Sequence, residues 1–222
     1  MRRVVVFGGS GGIGRSVIEQ FLIEKSQVIN ISRTPSNISG VIDYIFDVSD
    51  PLLDLSFLRD IDVVVDCIGI NIPSSFENFL DEDLDVMFEV NIKSKFRVLR
   101  ALFTTNSLSH VVIISSIWGI SARRGRSIYG ACKHALSGLV KTLAIEYGEK
   151  GCLVNLVSPG FTLTDLTKRT NHIDELEELR SKIPLKRLAE PVEIALLIQF
   201  LTSSHNTYIT GQNIIIDGGF TI

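Results

Sequence analysis

The most constraining feature of the sequence is a glycine-rich turn between a short apolar segment and an amphipathic one. Arg2–Phe7 is rich in β-branched residues and predicts a buried strand, and helical periodicity follows the turn through about Glu24. The turn itself reads Gly8-Gly9-Ser10-Gly11-Gly12-Ile13-Gly14. Glycines at such a junction permit a tight turn and let the backbone approach a pyrophosphate, which then sits on the amides of the helix N-terminus. The order strand, turn, helix therefore predicts a nucleotide-binding α/β fold.

Apolar strand-like segments alternate with helical ones along the rest of the chain. Strands are predicted at Gln27–Ser32, Ile42–Phe46, Asp62–Cys67, His110–Ser115, Gly151–Val157 and Gln212–Asp217, and helices at Asp81–Phe103, Ser127–Tyr147, Asp174–Lys182 and Pro191–Leu201. This alternation is typical of a Rossmann-type doubly wound parallel sheet of about seven strands, here as a single domain over residues 1–222. Only eight residues, 34–41, lie between Arg33 and the third strand. Because a helical crossover needs a dozen or more residues, we expect a shortened crossover without a helix.

Charge and cysteine usage exclude several classes of function. The net charge of −3 offers no long-range attraction for nucleic acid or for an anionic membrane. The three cysteines and four histidines lack metal-ligand spacing, so no metal site is expected. No apolar run reaches transmembrane length, and no charged-then-apolar leader precedes the first strand. We therefore expect a cytoplasmic protein with reduced thiols that binds neither nucleic acid nor membrane.

The ends of the second and third predicted strands bear on the choice of cofactor. An acidic residue after the second strand accepts hydrogen bonds from the adenosine ribose, whereas an arginine accommodates a 2′-phosphate. The chain has Ser32 and Arg33 there, which predicts a preference for NADP(H), with NAD(H) still possible. Asp47 and Val48 end the third strand, where a carboxylate could meet the adenine amino group. Capping of the following segment is the alternative role for Asp47.

Tyr129 and Lys133 are four residues apart on a predicted helix, so their side chains share one face. An ammonium beside a phenol favours the phenolate and lowers the phenol's pKa from its ordinary value of about 10. Ser116 follows a predicted strand, at the edge where open α/β sheets build their sites. Its hydroxyl could bond a substrate oxygen while Tyr129 exchanges a proton with that oxygen. The spacing alone is common on surface helices, where a solvated lysine beside a half-buried tyrosine is the alternative.

Taken together, the motifs resemble those of the short-chain dehydrogenase/reductase family, especially its 3-oxoacyl-[acyl-carrier-protein] reductase-like members, over essentially the whole chain. The matching residues are Gly8-x-x-x-Gly12-Ile13-Gly14, Asp47-Val48, Asn91, Ser115-Ser116, Tyr129-x-x-x-Lys133, Asn155, Pro159-Gly160-x-x-x-Thr164, Pro184-Leu185-x-Arg187, Glu190-Pro191, Tyr208-Ile209-Thr210-Gly211-Gln212 and Asp217-Gly218-Gly219. Three features depart from the family pattern. Phe7 stands where threonine is usual, Asp66-Cys67-Ile68-Gly69 replaces Asn-Asn-Ala-Gly, and the crossover after Arg33 is short.

The resemblance implies an NAD(P)-dependent oxidoreductase and assigns roles to individual residues. Tyr129 is the implied general acid, Ser116 orients the carbonyl, and Lys133 binds the nicotinamide ribose and lowers the tyrosine pKa. Asn91 holds a water that continues a proton relay. The implied cofactor-binding residues are Gly8, Ser10, Gly11, Gly12, Ile13, Gly14, Ser32, Arg33, Asp47, Val48, Cys67, Gly69, Tyr129, Lys133, Pro159, Gly160, Thr162 and Thr164.

The implied reaction is NADPH-dependent reduction of a ketone or aldehyde to an alcohol. The substrate is a small-molecule or carrier-bound carbonyl compound, either a 3-oxoacyl thioester or a pathway-specific carbonyl. The alternatives are an alcohol or sugar dehydrogenase, an epimerase that uses the nicotinamide transiently, and a non-catalytic nucleotide-binding protein. Family members are commonly tetramers, so a homodimer or homotetramer is expected, with helices Asp81–Phe103 and Ser127–Tyr147 pairing across subunits.

Two segments are candidates for shaping the substrate pocket. Residues 161–185 are polar and weakly periodic and follow the end of a strand, which makes them a candidate substrate lid. Three arginines cluster after Ser116 and could meet an anionic substrate group, or belong to a solvated loop: Arg123, Arg124 and Arg126.

Overall fold

Seven parallel strands form one sheet with helices on both faces in the computed structural model of the protein, which confirms the predicted Rossmann-type fold. The structure describes residues 1–164, 167 and 173–222, with the backbone alone at 173–175. The strands are β1 (Arg3–Phe7), β2 (Gln27–Ser32), β3 (Val41–Ile45), β4 (Val63–Asp66), β5 (His110–Ile114), β6 (Leu153–Pro159) and β7 (Asn213–Ile216). The helices are α1 (Gly12–Ile23), α2 (Asp81–Phe88), α3 (Ser94–Thr105), α4 (Ser127–Gly148), α5 (Ile173–Lys182) and α6 (Pro191–Leu201).

The strand order, β3-β2-β1-β4-β5-β6-β7, reverses direction between β1 and β4. The valine-rich strands are buried on both faces, as expected for a parallel sheet covered by helices. Helices α1 and α6 cover one face, through residues such as Phe21 and Ile198. Helices α3 and α4 cover the other, through residues such as Leu102 and Leu136. Because ligands of such folds bind at the carboxyl edge beside the reversal, the ends of β1 and β4 mark the expected site.

The predicted shortened crossover is confirmed, since residues 33–40 between β2 and β3 contain no helix. A polar network occupies part of the sheet face there. The amide of Asn30 donates to Asp43 Oδ1 at 2.7 Å, and Asp43 accepts from the backbone N and hydroxyl of Ser36 at 3.0 Å each. On the edge strand β3, Ile45 is 51% exposed, which fits a thinly covered face. Asn30 Oδ1 also accepts from Gly9 N at 2.9 Å, so the network holds the glycine turn.

The predicted single helix over Asp81–Phe103 is wrong in detail. A π-helical turn, Glu89–Lys93, interrupts it between α2 and α3. Such turns insert one residue into a helix and are frequent at functional sites. Here the turn carries Asn91, whose side chain is buried.

Strand β6 also differs from its prediction. It ends two residues later than predicted, because Ser158 and Pro159 pair with Ile215 and Ile216 of β7.

The polar segment after β6 is only partly described. The predicted helix Asp174–Lys182 is confirmed as α5, and Glu178 and Lys182 form an exposed ion pair on it. Residues 165–166 and 168–172 of the candidate lid, 161–185, lie outside the described residues. Within the part of the chain that is described, no helix combines the length and the apolar character needed to cross a membrane.

Candidate active site

The carboxyl edge of the sheet brings together the predicted residues from four strands. Gly8 follows β1, Cys67 follows β4, Ser116 follows β5 and Gly160 follows β6. A Cβ on Gly8 would lie 3.0 Å from Ile68 Cγ1, so the glycine turn touches the turn after β4. A Cβ on Gly12 would lie 3.4 Å from Thr164 Cγ2, so the glycine turn also faces the segment after β6.

The glycine turn forms a cradle of the kind that a pyrophosphate needs. Helix α1 packs so closely on the end of β1 that a Cβ on Gly14 would lie 2.2 Å from Gly8 O. Gly12 has a φ of +54° and Gly11 has open space where a side chain would stand. Ser10 and Ile13 flank these two glycines and are half-buried. The backbone amides at the start of α1 therefore open toward the space in front of Thr164, which fits a dinucleotide phosphate.

The predicted adenosine-side residues lie together but differ in availability. The Ser32 hydroxyl donates to Thr34 O at 2.6 Å and accepts from Asn30, so it is engaged within the loop. Arg33 is exposed and its charge contributes to the lowered pKa of Asp47, whose main cause is the hydrogen bond from the Ser49 side chain. Asp47 Oδ1 accepts from Ser49 N at 2.9 Å, which closes a local turn, and the described residues between it and β4 form no helix for Asp47 to cap. Val48 is buried in the core.

Tyr129, Lys133 and Ser116 meet at the start of α4. Lys133 Nζ lies 5.5 Å from the centroid of the Tyr129 ring and donates to Ile114 O at 3.0 Å. The Ser116 side chain lies near enough to Tyr129 to favour its ionised form, and its hydroxyl accepts from Trp118 N at 3.2 Å. Ser116 thereby caps the short 3-10 turn Ile117–Gly119. The local fold thus orients the serine toward the tyrosine.

Burial dominates the protonation of this group. Burial lowers the pKa of Lys133 to about 8, and the charge of Asp66 opposes that shift. Burial raises the pKa of Tyr129, and the nearby Ser116 side chain, then the charges of Arg126 and Lys95, oppose the rise. The prediction that the neighbouring lysine leaves Tyr129 with a lowered pKa is wrong in direction, because desolvation of the phenolate outweighs the nearby charges. Tyr129 therefore holds its proton at neutral pH.

Asn91 fixes the turn that follows β4. Its Oδ1 accepts from Ile70 N at 3.2 Å, and its Nδ2 donates to Ile70 O at 3.0 Å and to Met87 O at 2.9 Å. Gly69 lies between this amide and the lysine: a Cβ there would be 3.2 Å from both Asn91 Oδ1 and Lys133 Nζ. A side chain at that position would therefore shift one or both of these groups by a few tenths of an ångström.

The segment after β6 completes the edge. Pro159 ends β6, and a Cβ on Gly160 would lie 2.7 Å from Asp217 Cβ, so the chain passes very close to the end of β7. Thr162 is buried and its hydroxyl donates to Gly160 O at 3.2 Å. The hydroxyl of Thr164 lies 3.0 Å from that of Thr167. Thr164 is the member of this group that faces the glycine turn.

Sequence reasoning missed a buried ion pair beside the site. Lys95 Nζ lies 2.7 Å from Asp66 Oδ1, and Asp66 directly precedes the predicted cofactor residue Cys67. Two signals could have revealed it. Asp66 ends an entirely apolar strand, and a buried carboxylate requires a partner. Lys95 lies four residues after Asn91 on the same helical face, where a charged side chain points toward the core.

The chain is similar to a large set of oxidoreductases. The family model described as "Enoyl-(Acyl carrier protein) reductase" matches residues 55–221. The curated 3-oxoacyl-[acyl-carrier-protein] reductase FabG of Escherichia coli K12 is 30% identical over 234 residues, covering 97% of this chain and 95% of that protein. A short chain dehydrogenase family protein from Francisella tularensis has a TM-score of 0.92 at 28% identity, covering 100% of this chain and 99% of its own.

Two further solved structures contain a nicotinamide cofactor. ElxO with NADP bound has a TM-score of 0.87 at 28% identity and covers 99% of this chain and 98% of its own. A 4-hydroxyisoleucine dehydrogenase complexed with NADH has a TM-score of 0.89 at 27% identity and covers 100% of this chain and 99% of its own. The similar structures therefore include both forms of the cofactor.

The hydrogen bonds of Asn91 generate a prediction that does not depend on catalysis. Replacement by alanine leaves the half-buried Ile70 N–H and C=O without their partner, so the free energy of unfolding should fall by about 1–3 kcal/mol. Urea unfolding measures this loss, and amide hydrogen exchange should accelerate at Ile70. The matched control is Asn78→Ala, since Asn78 is exposed and its side chain donates to the Ser75 hydroxyl and to no other described residue. Equal effects of the two substitutions would contradict the assigned contacts.

Proposed function

This chain belongs to the short-chain dehydrogenase/reductase family and is an NAD(P)-dependent oxidoreductase, and we propose that it reduces a ketone or aldehyde with NADPH, using Tyr129 as the general acid. The observation that carries the proposal is the meeting of Ser116, Tyr129 and the buried Lys133, whose Nζ lies 5.5 Å from the centroid of the Tyr129 ring. Burial raises the Tyr129 pKa, so the phenol is protonated and ready to donate at neutral pH. The site lies at the carboxyl edge, opposite the glycine cradle.

The proposed reaction divides the work between cofactor and protein. The nicotinamide supplies the hydride when bound, while the protein positions the substrate and handles the proton. Ser116 and Tyr129 bind the carbonyl oxygen, and Tyr129 passes its proton to that oxygen as the alcohol forms. The Lys133 ammonium stabilises the phenolate that results. Both hydrogens of the Asn91 amide are engaged, but one lone pair of its Oδ1 remains to hold the water that returns a proton through Lys133.

Removal of the phenolic hydroxyl should abolish turnover while cofactor binding persists. We expect Tyr129→Phe to lower kcat by about 10²–10⁴-fold, the usual contribution of a general acid, with little change in the Kd for NADPH. Because the Lys133 pKa is about 8, wild-type reductive turnover should be level below that pH and should decline above it as the ammonium is lost. Unimpaired turnover by the phenylalanine variant would contradict the role of Tyr129.

We propose that NADPH is preferred over NADH because Arg33 is exposed at the end of β2 and no carboxylate precedes it there. The ElxO structure with NADP supports this choice, whereas the dehydrogenase complexed with NADH shows that related sites accept either form. Arg33 is the available group, since the neighbouring Ser32 hydroxyl is engaged within the loop.

Parallel fluorescence titrations with NADPH and NADH measure this preference. We expect Arg33→Asp to weaken NADPH binding by about 10–100-fold, the loss of one or two charge-assisted hydrogen bonds, and to leave NADH binding nearly unchanged. Arg59→Asp is the charge-matched control, because Arg59 is also exposed but precedes β4, at the opposite edge of the sheet. Tighter binding of NADH by the wild type would contradict the preference.

We propose that the substrate carries an anionic group near its carbonyl. Arg126 is half-buried, donates to Asn71 Oδ1 at 3.2 Å, and its charge acts on the phenol of Tyr129. Arg123 lies over the Trp118 ring at 5.5 Å from its centroid. Neither arginine forms an ion pair within the described residues, although the charge of Arg123 also acts on Glu178. Both line a cavity of about 190 Å³ in front of α4.

Aromatic side chains lie against Arg123, whose guanidinium carbon is 5.5 Å from the centroid of Trp118 and 5.8 Å from that of Phe161. Trp118, Phe161 and Phe220 pack edge to face, with ring centroids 5.1–6.2 Å apart. An apolar wall beside two cations suits an oxo acid with a hydrocarbon portion or a 3-oxoacyl chain on a phosphate-bearing carrier.

The substrate lid over residues 161–185 stays a prediction, and so does the organisation of residues 1–222 as a single domain.

A pair of substrates that differ only in charge tests the anionic group. The wild type should favour a 3-oxo acid over its methyl ester, and Arg126→Met should raise the KM for the acid by about 10–100-fold with little effect on the ester. Arg124→Met is the control, because Arg124 is exposed and makes no ion pair or ring contact with the described residues. Preference for the ester over the acid in the wild type would contradict the proposal.

We propose that two or more copies of the chain pair through α3 and α4. Phe96 is 52% exposed on α3, and an apolar groove of about 360 Å³ runs between it and Leu139, Leu143 and Tyr147 on α4. A large exposed apolar surface of this kind marks an interaction site.

Light scattering should therefore give the mass of two or four chains. Phe96→Glu should shift the mass toward one chain, because a charge would be buried in the interface. Leu52→Glu is the control, since Leu52 is exposed on the loop after β3. A monomeric wild type would contradict the pairing.

A further inference from the structure

The ion pair between Asp66 and Lys95 differs from the others in the described part of the chain. Their side chains are 5% and 0% exposed, whereas every other ion pair has side chains at least 27% exposed. Lys95 Nζ also donates to Ile68 O at 2.8 Å, and Asp66 Oδ1 accepts from Ile68 N at 2.9 Å. The pair is therefore fully built into the fold.

Stability alone does not account for such a pair. Desolvating two charges costs about as much as their attraction returns, and well-packed apolar residues often serve as well or better. The related family pattern has asparagine where this chain has Asp66, so the turn does not require a carboxylate. A separate role is therefore to be sought in what the pair contacts.

The pair holds the turn that lies against Lys133. Lys95 on α3 hydrogen-bonds Asp66 and Ile68 at the start of this turn. Asn91 in the π turn hydrogen-bonds Ile70 at its end. Gly69 lies between these two sets of hydrogen bonds, and a Cβ there would lie 3.2 Å from Lys133 Nζ. Movement of the turn would therefore change the surroundings of the ammonium directly.

The charges around Lys133 make the same connection. The groups that face it are Asp66 at the end of β4, Cys67 after that strand, Lys95 on α3, and Tyr129 and Cys132 on α4. Asp66 is the one carboxylate among them. Burial lowers the pKa of both lysines, the charge of Asp66 opposes this in each case, and the charge of Lys133 lowers the pKa of Lys95 further. The Asp66 carboxylate thus favours the ammonium form of both Lys95 and Lys133.

We propose that Lys95 is a positioning residue: its ion pair with Asp66 holds the Asp66–Ile70 turn against Lys133 and limits how strongly this carboxylate favours the Lys133 ammonium. The consequence for catalysis rests on the function proposed above, because Lys133 is there the group that stabilises the Tyr129 phenolate. The consequence for the protonation of Lys133 does not depend on that function.

The test is a carbon-13 NMR titration of the lysine Cε resonances in the full-length protein without cofactor. The Lys133 resonance is identified by its absence in Lys133→Met. We expect Lys95→Met to raise the Lys133 midpoint by about one pH unit, because Asp66 then acts on Lys133 alone. Asp66→Asn should lower the midpoint by a similar amount, because the favourable charge is lost. The double variant should lie between the two single variants.

A matched control shows whether the loss of any lysine from this helical segment, and not of Lys95 in particular, shifts the Lys133 midpoint. Lys93→Met should leave the Lys133 midpoint unchanged, since Lys93 lies two residues away, is 60% exposed, and pairs with Glu89 at 3.8 Å. If Lys95→Met fails to fold, the wild type must still have a higher midpoint than both Asp66→Asn and the double variant. Equal midpoints in all variants, or shifts in the same direction, would show a purely structural pair and overturn the inference.

The pH profile of kcat/KM provides the second readout, and its basic limb should move with the Lys133 midpoint in each variant. If no carbonyl compound is turned over, the proposed function fails and the NMR titration still decides the role of Lys95. If turnover occurs and its basic limb is the same in wild type, Lys95→Met and Asp66→Asn, the role of Lys95 is overturned while the proposed function stands.

Discussion

The burial of the Lys133 ammonium is the constraint on which the rest of the site depends. A charge that is only 2% exposed must be surrounded by acceptors and opposite charge, and here these are Ile114 O and Asp66. The glycine at position 69 gives it room, and Asn91 holds that glycine's turn in place. The same burial keeps the phenol of Tyr129 protonated, so one physical cause sets the protonation of both groups.

Features set by local periodicity were predictable from the sequence. The four-residue spacing of Tyr129 and Lys133 on a helix, and a glycine turn between a strand and a helix, each specify a geometry by themselves. Features set by long-range contacts were not. The π turn at Asn91 is one such feature. The sequence indicates that Asp66 needs a partner and that Lys95 points toward the core, but it does not show that the two form an ion pair, because they are 29 residues apart and meet only in the folded chain. The upward pKa shift of Tyr129 was missed for the same reason, since it follows from burial.

The shortened crossover has a structural consequence that its length alone did not reveal. Without a helix between β2 and β3, Asn30 and Asp43 cover the sheet with a polar network and tie the glycine turn to the loop. This network engages the Ser32 hydroxyl and leaves Arg33 exposed. A buried polar network is stable only when its members are satisfied, and Asn30 here bonds Gly9, Ser32 and Asp43. The exposure of Arg33 and the missing helix are thus two aspects of one local arrangement.

The proposed reaction at this site transfers a hydride from the nicotinamide to a carbonyl carbon, and Tyr129 supplies a proton to the carbonyl oxygen. The most direct test is to incubate the protein with NADPH deuterated at the transferable position of C4 and a panel of oxo acids, and to locate the label by mass spectrometry. The account predicts an alcohol with deuterium on its carbinol carbon and one equivalent of NADP⁺ for each product. Conversion of a substrate with the label retained on the cofactor would contradict it and would indicate an epimerase.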